Sequence, residues 1–253
     1  MSNNTTNNSS DDFTMWELSP DFVASILEGN QKLCRERISR YFVPFESRTL
    51  TKSAYFKKHH KHQIGFTGSF FERYIEKSDR HHFDGNDVSA VISLSIQGSG
   101  YWVASLLNEN IDLSYFTSHD FNICISDVGS DFFDKPRMNA IYEKLKSLNG
   151  ISRVTASKLL ASKRPNLFPI FDNDVSSLFM HSDGISWQHR GSYLDWCKSL
   201  QKVMTDKRVS ELLAQISHKT NNICQPLRAL DVIFWLECFD RKNETGDRIK
   251  LTK

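Results

Sequence analysis

Residues 148–160 read LNGISRVTASKLL, and residues 168–175 read FPIFDNDV. Gly150 is the residue type that accepts the left-handed backbone conformation at the end of a helix. Ser152 is of the type that caps the start of a helix, and we predict that the next helix begins at Arg153. The stretch therefore predicts a hairpin of two helices joined by a very short turn, over about residues 136–163.

A hairpin of this kind predicts a phosphate-binding site. The first N–H groups of its second helix have no acceptor within that helix, and the helix dipole adds partial positive charge beside them. Arg153 and Lys158 are expected to add positive charge nearby. Such a site would hold a nucleic-acid backbone in register without reading its base sequence.

These residues resemble the helix-hairpin-helix DNA glycosylase superfamily, whose hairpin reads Leu-Pro-Gly-hydrophobic-Gly, then Thr-Ala, with a catalytic aspartate at a fixed distance. Leu148, Gly150, Thr155 and Ala156 stand at matching positions, and Asp172 stands where the family aspartate falls. The segment Phe-Pro-Ile-Phe-Asp that ends at Asp172 is especially similar to the adenine glycosylase branch. The close match covers only residues 148–175, so it is moderately specific.

A wider pattern looks like an uncharacterised bacterial branch that shares the hairpin. It comprises Phe-Thr-Gly at 66–68, Phe-Glu at 71–72 and Leu-Arg-Ala-Leu-Asp at 227–231. The sequence also departs from the superfamily. Ser152 replaces the second hairpin glycine, and Val154 stands where bifunctional members carry a Schiff-base lysine, so no lyase step is expected. Too few cysteines follow Asp172 for the iron–sulfur cluster of some members.

The resemblance implies an all-α, two-lobed helix-hairpin-helix glycosylase-like fold with a DNA-facing cleft and Asp172 at its floor. It implies a monofunctional DNA glycosylase that flips out a damaged or modified base, for DNA repair or for defence against modified phage DNA, and leaves an abasic site. The expected partner is double-stranded DNA. The protein is expected to need no metal or other cofactor and to bind no membrane. The expected DNA-binding residues are Gly150, Ser152, Arg153, Thr155 and Lys158.

Asp172 has two interpretations. A carboxylate can stabilise the oxocarbenium character that a sugar gains as its base departs, and can align a water for attack. Aspartate also very often caps a helix, and Asp172 would cap the helix that we predict from Asn173. Without the resemblance, a capping role is the commoner of the two for such a residue. Asp174 is the fallback carboxylate.

Glu72 is a possible general acid for the leaving base, because an acid among aromatic residues can have a raised pKa. An exposed helix glutamate near Arg73 is the commoner arrangement. Tyr101, Trp102 and Trp187 are candidates for stacking against DNA, although such aromatic residues are more often part of a core.

The composition of the 253 residues is that of an ordinary folded protein, with 39% hydrophobic and 25% charged residues. Only 11 glycines and 6 prolines are present, which favours helices over a turn-rich β fold. No apolar run approaches the length of a membrane span, and the five cysteines include no CxxC pair, so we expect a reduced, cytoplasmic protein that associates with the nucleoid when bound to DNA.

The net charge of +2 is unevenly distributed. Residues 144–164 contain six basic and no acidic residues, and residues 52–61 contain four lysines and no acid. These runs predict a localised anion-binding surface, with a merely solvated face as the alternative. Histidines lie among the lysines near residue 60, where neighbouring positive charge disfavours a metal site.

We expect a disordered polar tail over residues 1–12 and one two-lobed helical domain over residues 13–253, with the aspartate loop at 164–175. Helices are predicted from Pro20 to about Arg40, after Gly68, over 88–96, over 193–204 and over 227–239. A non-catalytic DNA-binding hairpin protein is the main alternative function. A regulatory protein whose hairpin contacts another protein is the third.

Overall fold

The computed structural model describes residues 15–42, 66–117, 122–219, 225–243 and 246–250. This part of the chain is mostly helical, as expected for an all-α protein. The polar tail at 1–12 and the lysine-rich run at 52–61 lie outside the described residues. The helices are α1 Pro20–Gly29, α2 Gln31–Tyr41, α3 Phe71–Ile75, α4 Gly85–Ser93, α5 Gly100–Asn108, α6 Ser114–Thr117, α7 Pro136–Ser147, α8 Arg153–Lys163, α9 Asn173–Ser177, α10 Trp187–Arg190, α11 Tyr193–Thr205, α12 Lys207–Lys219 and α13 Pro226–Asn243.

Short elements complete this framework. Two 3-10 turns cover Thr67–Phe70 and Phe132–Asp134. Two strands of two residues each, β1 (Trp16–Glu17) and β2 (Phe179–Met180), pair in parallel. The pairing joins the segment before α1 to the segment after α9.

The predicted first helix is two helices. Ser19 caps α1 as expected, with its hydroxyl accepting the N–H of Phe22. The prediction that the helix continues to Arg40 is wrong, because the chain leaves the helix at Asn30. The Asn30 side chain donates to the carbonyls of Ile26 and Lys250 and accepts the N–H of Lys250, so it is committed to the C-terminal segment.

The helix predicted at 88–96 is α4, which begins and ends earlier. Asp84 and Asp87 form a capping box, in which the side chain of each residue accepts the backbone N–H of the other. The helix ends at Ser93, and Ser95 has a positive φ of 65°. The chain therefore turns here, and residues 94–96 do not continue the helix.

The hairpin helix α8 lies at the centre of the packing. It contacts α7, α3 and α4, while α13 contacts α2, α9 and α12. Every residue of α8 from Thr155 to Lys163 is buried. Buried apolar residues from all these helices form one continuous core, so α8 and the loop after it are held from several sides.

In the described part of the chain, no helix combines the length and the apolar character that crossing a membrane requires.

Candidate functional site

The hairpin predicted from the sequence is present. Gly150 has a φ of +80°, and a Cβ there would lie 3.2 Å from the Cβ of Trp102. Ser152 caps α8, with its hydroxyl accepting the N–H of Thr155 at 3.1 Å. The turn therefore needs glycine at 150 both for its backbone conformation and for the close approach of α5.

The five predicted DNA-binding residues differ in exposure. Gly150 and Ser152 are exposed at the turn, and Arg153 is half-buried. Thr155 and Lys158 are buried. The expectation that these two contact DNA from the hairpin surface is wrong in its geometry, because Thr155 bonds Ser152 and Lys158 points inward.

Arg153 is also held by the protein itself. Its guanidinium donates to the carbonyls of Gln188 and Gly191, both at 3.2 Å, and lies 4.4 Å from the centre of the Phe171 ring. These contacts join the start of α8 to α10 and to the aspartate loop. Arg153 therefore positions the loop, whatever else it binds.

The basic run at 144–164 does not form the predicted anion-binding surface. Lys163 is buried in an ion pair with Asp87, and Arg164 is buried as well. Lys144 and Lys146 are exposed but pair with the acids Glu109 and Glu143. Half of the six basic residues are thus interior groups, since Lys158 is buried too.

Helix α8 fixes the loop that carries Asp172. The Ser157 hydroxyl accepts the N–H of Phe171 at 3.1 Å and lies 3.3 Å from its carbonyl oxygen. Lys158, one residue on, donates to the carbonyl of Leu94 at 2.9 Å and lies 3.7 Å from Asp172 Oδ2. The hairpin and the aspartate that the family pattern pairs are therefore in direct contact.

Asp172 uses its two carboxylate oxygens differently. Oδ1 accepts the N–H of Asp174 at 2.9 Å, so the helix-capping interpretation is confirmed. Oδ2 faces Lys158, and the side chain is 18% exposed. The residue lines a cavity of about 50 Å³, enough for one or two water molecules. Asp174 is more exposed and pairs with Lys242.

Arg228 connects this cavity to Glu72. Its Nε donates to Glu72 Oε1 at 2.9 Å, another of its N–H groups binds Asp231, and a third donates to the Tyr41 hydroxyl at 2.8 Å. The guanidinium also lies over the rings of Tyr41 and Phe71. Glu72 is therefore neither exposed nor paired with Arg73, and its role as a general acid stays a prediction.

Gly68 permits this arrangement. A Cβ at position 68 would lie 1.9 Å from the Tyr41 hydroxyl oxygen. The carbonyl of Gly68 lies 3.4 Å from Arg228 Nη2. The separate sequence segments at 66–68, 71–72 and 227–231 thus meet around one arginine.

Burial changes two ionisation equilibria in this cluster. It raises the pKa of Asp231 to about 6, against the opposing influence of Arg228. It also lowers the pKa of Lys158 below its usual value, although Asp172 acts in the opposite direction. The Asp231 carboxyl thus changes its protonation closer to neutral pH than an ordinary aspartate does.

The three aromatic candidates for DNA stacking are separated by the structure. Trp102 and Trp187 are core residues, and the Trp102 indole donates to the carbonyl of Gln97. Tyr101 is 74% exposed and lines an open groove of about 700 Å³ beside Leu148 and Asn149 of the hairpin turn. Only Tyr101 of the three is available to a partner.

Sequence reasoning gave Arg228, Asp231 and Tyr41 no role in the site. Arg228 and Asp231 were part of the family-like pattern, and two charged residues one helical turn apart in an apolar helix indicate an interior ion pair. Nothing in the sequence around Tyr41 identifies its contact. Among the described residues, no three histidine, cysteine, aspartate or glutamate side chains are grouped to hold a metal ion.

Comparison with known proteins gives one result. No curated protein and no solved structure matches this sequence significantly. A family profile matches residues 51–238, most of the chain, including Glu72, Lys158, Asp172 and Arg228. The chain therefore belongs to the Family of unknown function (DUF6308).

Proposed function

We propose that this protein is a monofunctional DNA glycosylase that removes a damaged or modified base from double-stranded DNA and leaves an abasic site. The helices would form the two-lobed glycosylase-like arrangement, acting in the cytoplasm without a cofactor. The observation that carries the proposal is the position of Asp172. One of its oxygens caps α9 and the other lies 3.7 Å from Lys158 Nζ, while the residue lines a water-sized cavity beside the hairpin helix.

The proposed reaction breaks the bond between C1′ of the deoxyribose and the base nitrogen. The electron pair leaves with the base, and the sugar gains positive charge that Asp172 Oδ2 would stabilise. A water in the cavity would attack C1′ and pass its proton to Asp172. The departing base would take up a proton from solvent, and Asp172 would afterwards release its own proton to solvent. Lys158 would balance the negative charge of the carboxylate. It is buried, so it does not form part of the exposed hairpin surface.

The hairpin turn and Tyr101 are the groups that support DNA contact. Gly150 and Ser152 are exposed at the turn, beside N–H groups at the start of α8 that have no acceptor within the helix. Tyr101 extends into the groove beside the same turn. In this proposal the turn binds a phosphate and Tyr101 stacks on a base near the extruded nucleotide.

A non-catalytic DNA-binding protein is the second candidate, because the cap bond alone explains an aspartate at 172. The test is Asp172→Asn, which preserves the cap since asparagine caps helices as well as aspartate does. Normal and modified genomic DNAs are incubated with the protein, and abasic sites are counted by mass spectrometry. Under the enzyme proposal the substitution lowers their formation at least about a hundredfold while duplex binding survives.

Asp174→Asn is the matched control. It changes a carboxylate two residues away on the same helix that makes no cap bond, so activity should persist. No strand cleavage should appear before alkali treatment. Equal activity of wild type and Asp172→Asn, or no abasic sites on any DNA despite duplex binding, would leave the binding protein as the better description.

A further inference from the structure

A second cavity lies behind the wall that Arg228 and Asp231 form. It has a volume of about 280 Å³ and is bounded by α3, the loop after α8 and the first turns of α13. Its walls are mainly apolar and include Phe71, Ile75 and Phe168. The volume is just below the range of about 300–1,000 Å³ typical of drug-sized ligands, so it suits one ring or two fused rings.

Two polar atoms of residues on its walls lack partners. Glu72 Oε2 and Asn166 Oδ1 are buried and accept no hydrogen bond from any residue that the structure describes. Asn166 is only 7% exposed, and both residues line the cavity. Buried acceptors are nearly always paired, so these two indicate donors supplied by a ligand or by ordered water.

The charges around the cavity exclude an anion. Glu72, Glu76 and Asp231 contribute three carboxylates, and Arg228 is the single cation among the lining residues that the structure describes. The N–H groups of Arg228 are already directed at Glu72, Asp231 and Tyr41. A ligand must therefore bring hydrogen-bond donors on a neutral or cationic body.

We propose that this cavity binds a free amino-substituted heteroaromatic ring of the nucleobase type, whose amino groups donate to Glu72 and Asn166. The ring lies among the apolar side chains, and the carboxylate and amide oxygens select amino over carbonyl substituents. Arg228 and Asp231 line both this cavity and the one at Asp172. The site stands independently of whether Asp172 is catalytic.

Titration calorimetry with three purines tests the proposal on the wild-type protein. 2,6-Diaminopurine carries two amino groups, adenine carries one, and hypoxanthine has a carbonyl where adenine has its amino group. Affinity should fall in that order, by about tenfold for each donor lost at a buried acceptor. Equal affinities would show that Glu72 and Asn166 do not select the ligand, and no binding of any of the three would leave water as the occupant; either result would overturn the proposal.

Glu72→Gln sharpens the test. Its amide oxygen would stay toward Arg228, so its NH₂ group would face the cavity and reverse the preference between adenine and hypoxanthine. Glu76→Gln, at an exposed residue of the same cavity, removes the same charge and should keep the wild-type order. Retention of that order in folded Glu72→Gln would overturn the proposal.

Two further measurements separate a loss of folding from a loss of binding, and purine binding from abasic-site formation. Circular dichroism establishes that each variant is folded, and the wild-type series decides the matter if Glu72→Gln is not. Asp172→Asn should bind the purines as the wild type does. Loss of abasic-site formation and loss of purine binding are therefore distinguishable outcomes.

Discussion

Replacing Arg228 by methionine should be among the most destabilising single changes in this protein. The arginine side chain is only 7% exposed and is the cation for two carboxylates, Glu72 and Asp231, that are largely buried themselves. Methionine fills a similar space but leaves both acids without a partner. It also removes the donor to the Tyr41 hydroxyl.

The magnitude follows from burial. Breaking a buried ion pair by removing one partner costs about 3–5 kcal/mol, because the remaining charge stays in a poorly solvated place. Arg228→Lys keeps the positive charge but replaces the planar guanidinium, with its several N–H donors, by a single ammonium group. Its loss of stability should therefore be smaller than that of Arg228→Met. Arg208, which pairs with Glu28 and is 50% exposed, provides the matched control: Arg208→Met should cost much less stability, because solvent screens that pair.

Urea unfolding at pH 7.5, followed by tryptophan fluorescence, measures all three variants against the wild type. Adding Glu72→Gln and Asp231→Asn to Arg228→Met should recover part of the loss, because the uncompensated acids are then removed. A cost below about 1 kcal/mol for Arg228→Met, or one equal to that of Arg208→Met, would refute the reasoning. The cluster would then be too well solvated to organise the site.

Two other predictions concern the hairpin turn at Gly150 and the carboxyl of Asp231. Gly150→Ala should destabilise the protein by about 1–3 kcal/mol, because an L side chain is strained at this φ and would contact Trp102. Gly85→Ala, which has open space around its Cβ, is the control and should not destabilise the protein. Thermal unfolding measures the stability of both variants. Asp231 has a folded pKa of about 6 against a usual 3.8, so its contribution to stability is lost as pH rises from about 4 to 6. The free energy of unfolding is measured against pH for the wild type and for Asp231→Asn, and the second curve is subtracted from the first. The difference should fall by at most about 3 kcal/mol over this pH range, and a difference that does not change with pH would contradict the prediction.

The hairpin could be predicted because its determinants are local. Gly150 must accept a positive φ and Ser152 must accept an N–H three residues later, and both requirements are visible within a few positions of sequence. The same holds for the apolar helix that is α13. Such elements need no knowledge of distant partners.

The interior charges could not be predicted because their partners are remote in sequence. Lys163 pairs with an acid 76 positions away, and Arg228 binds groups 156 and 187 positions away. Helix α8 is buried on nearly every side, so it has no apolar face that would have shown which lysines point inward. A run of basic residues was therefore interpreted as a surface when half of it is interior.

The segments outside the family match complete the cluster around Arg228. Tyr41 covers that arginine from α2, and Arg37 of the same helix is buried against Glu237 and Asp240. A shortened polypeptide that starts at residue 51 would lack Tyr41 and Arg37, which contact Arg228, Glu237 and Asp240 of α13. The stretch that matches the family, residues 51–238, thus leaves out residues that pair with its own buried charges, and an expressed protein should begin before Trp16 and end after Lys250.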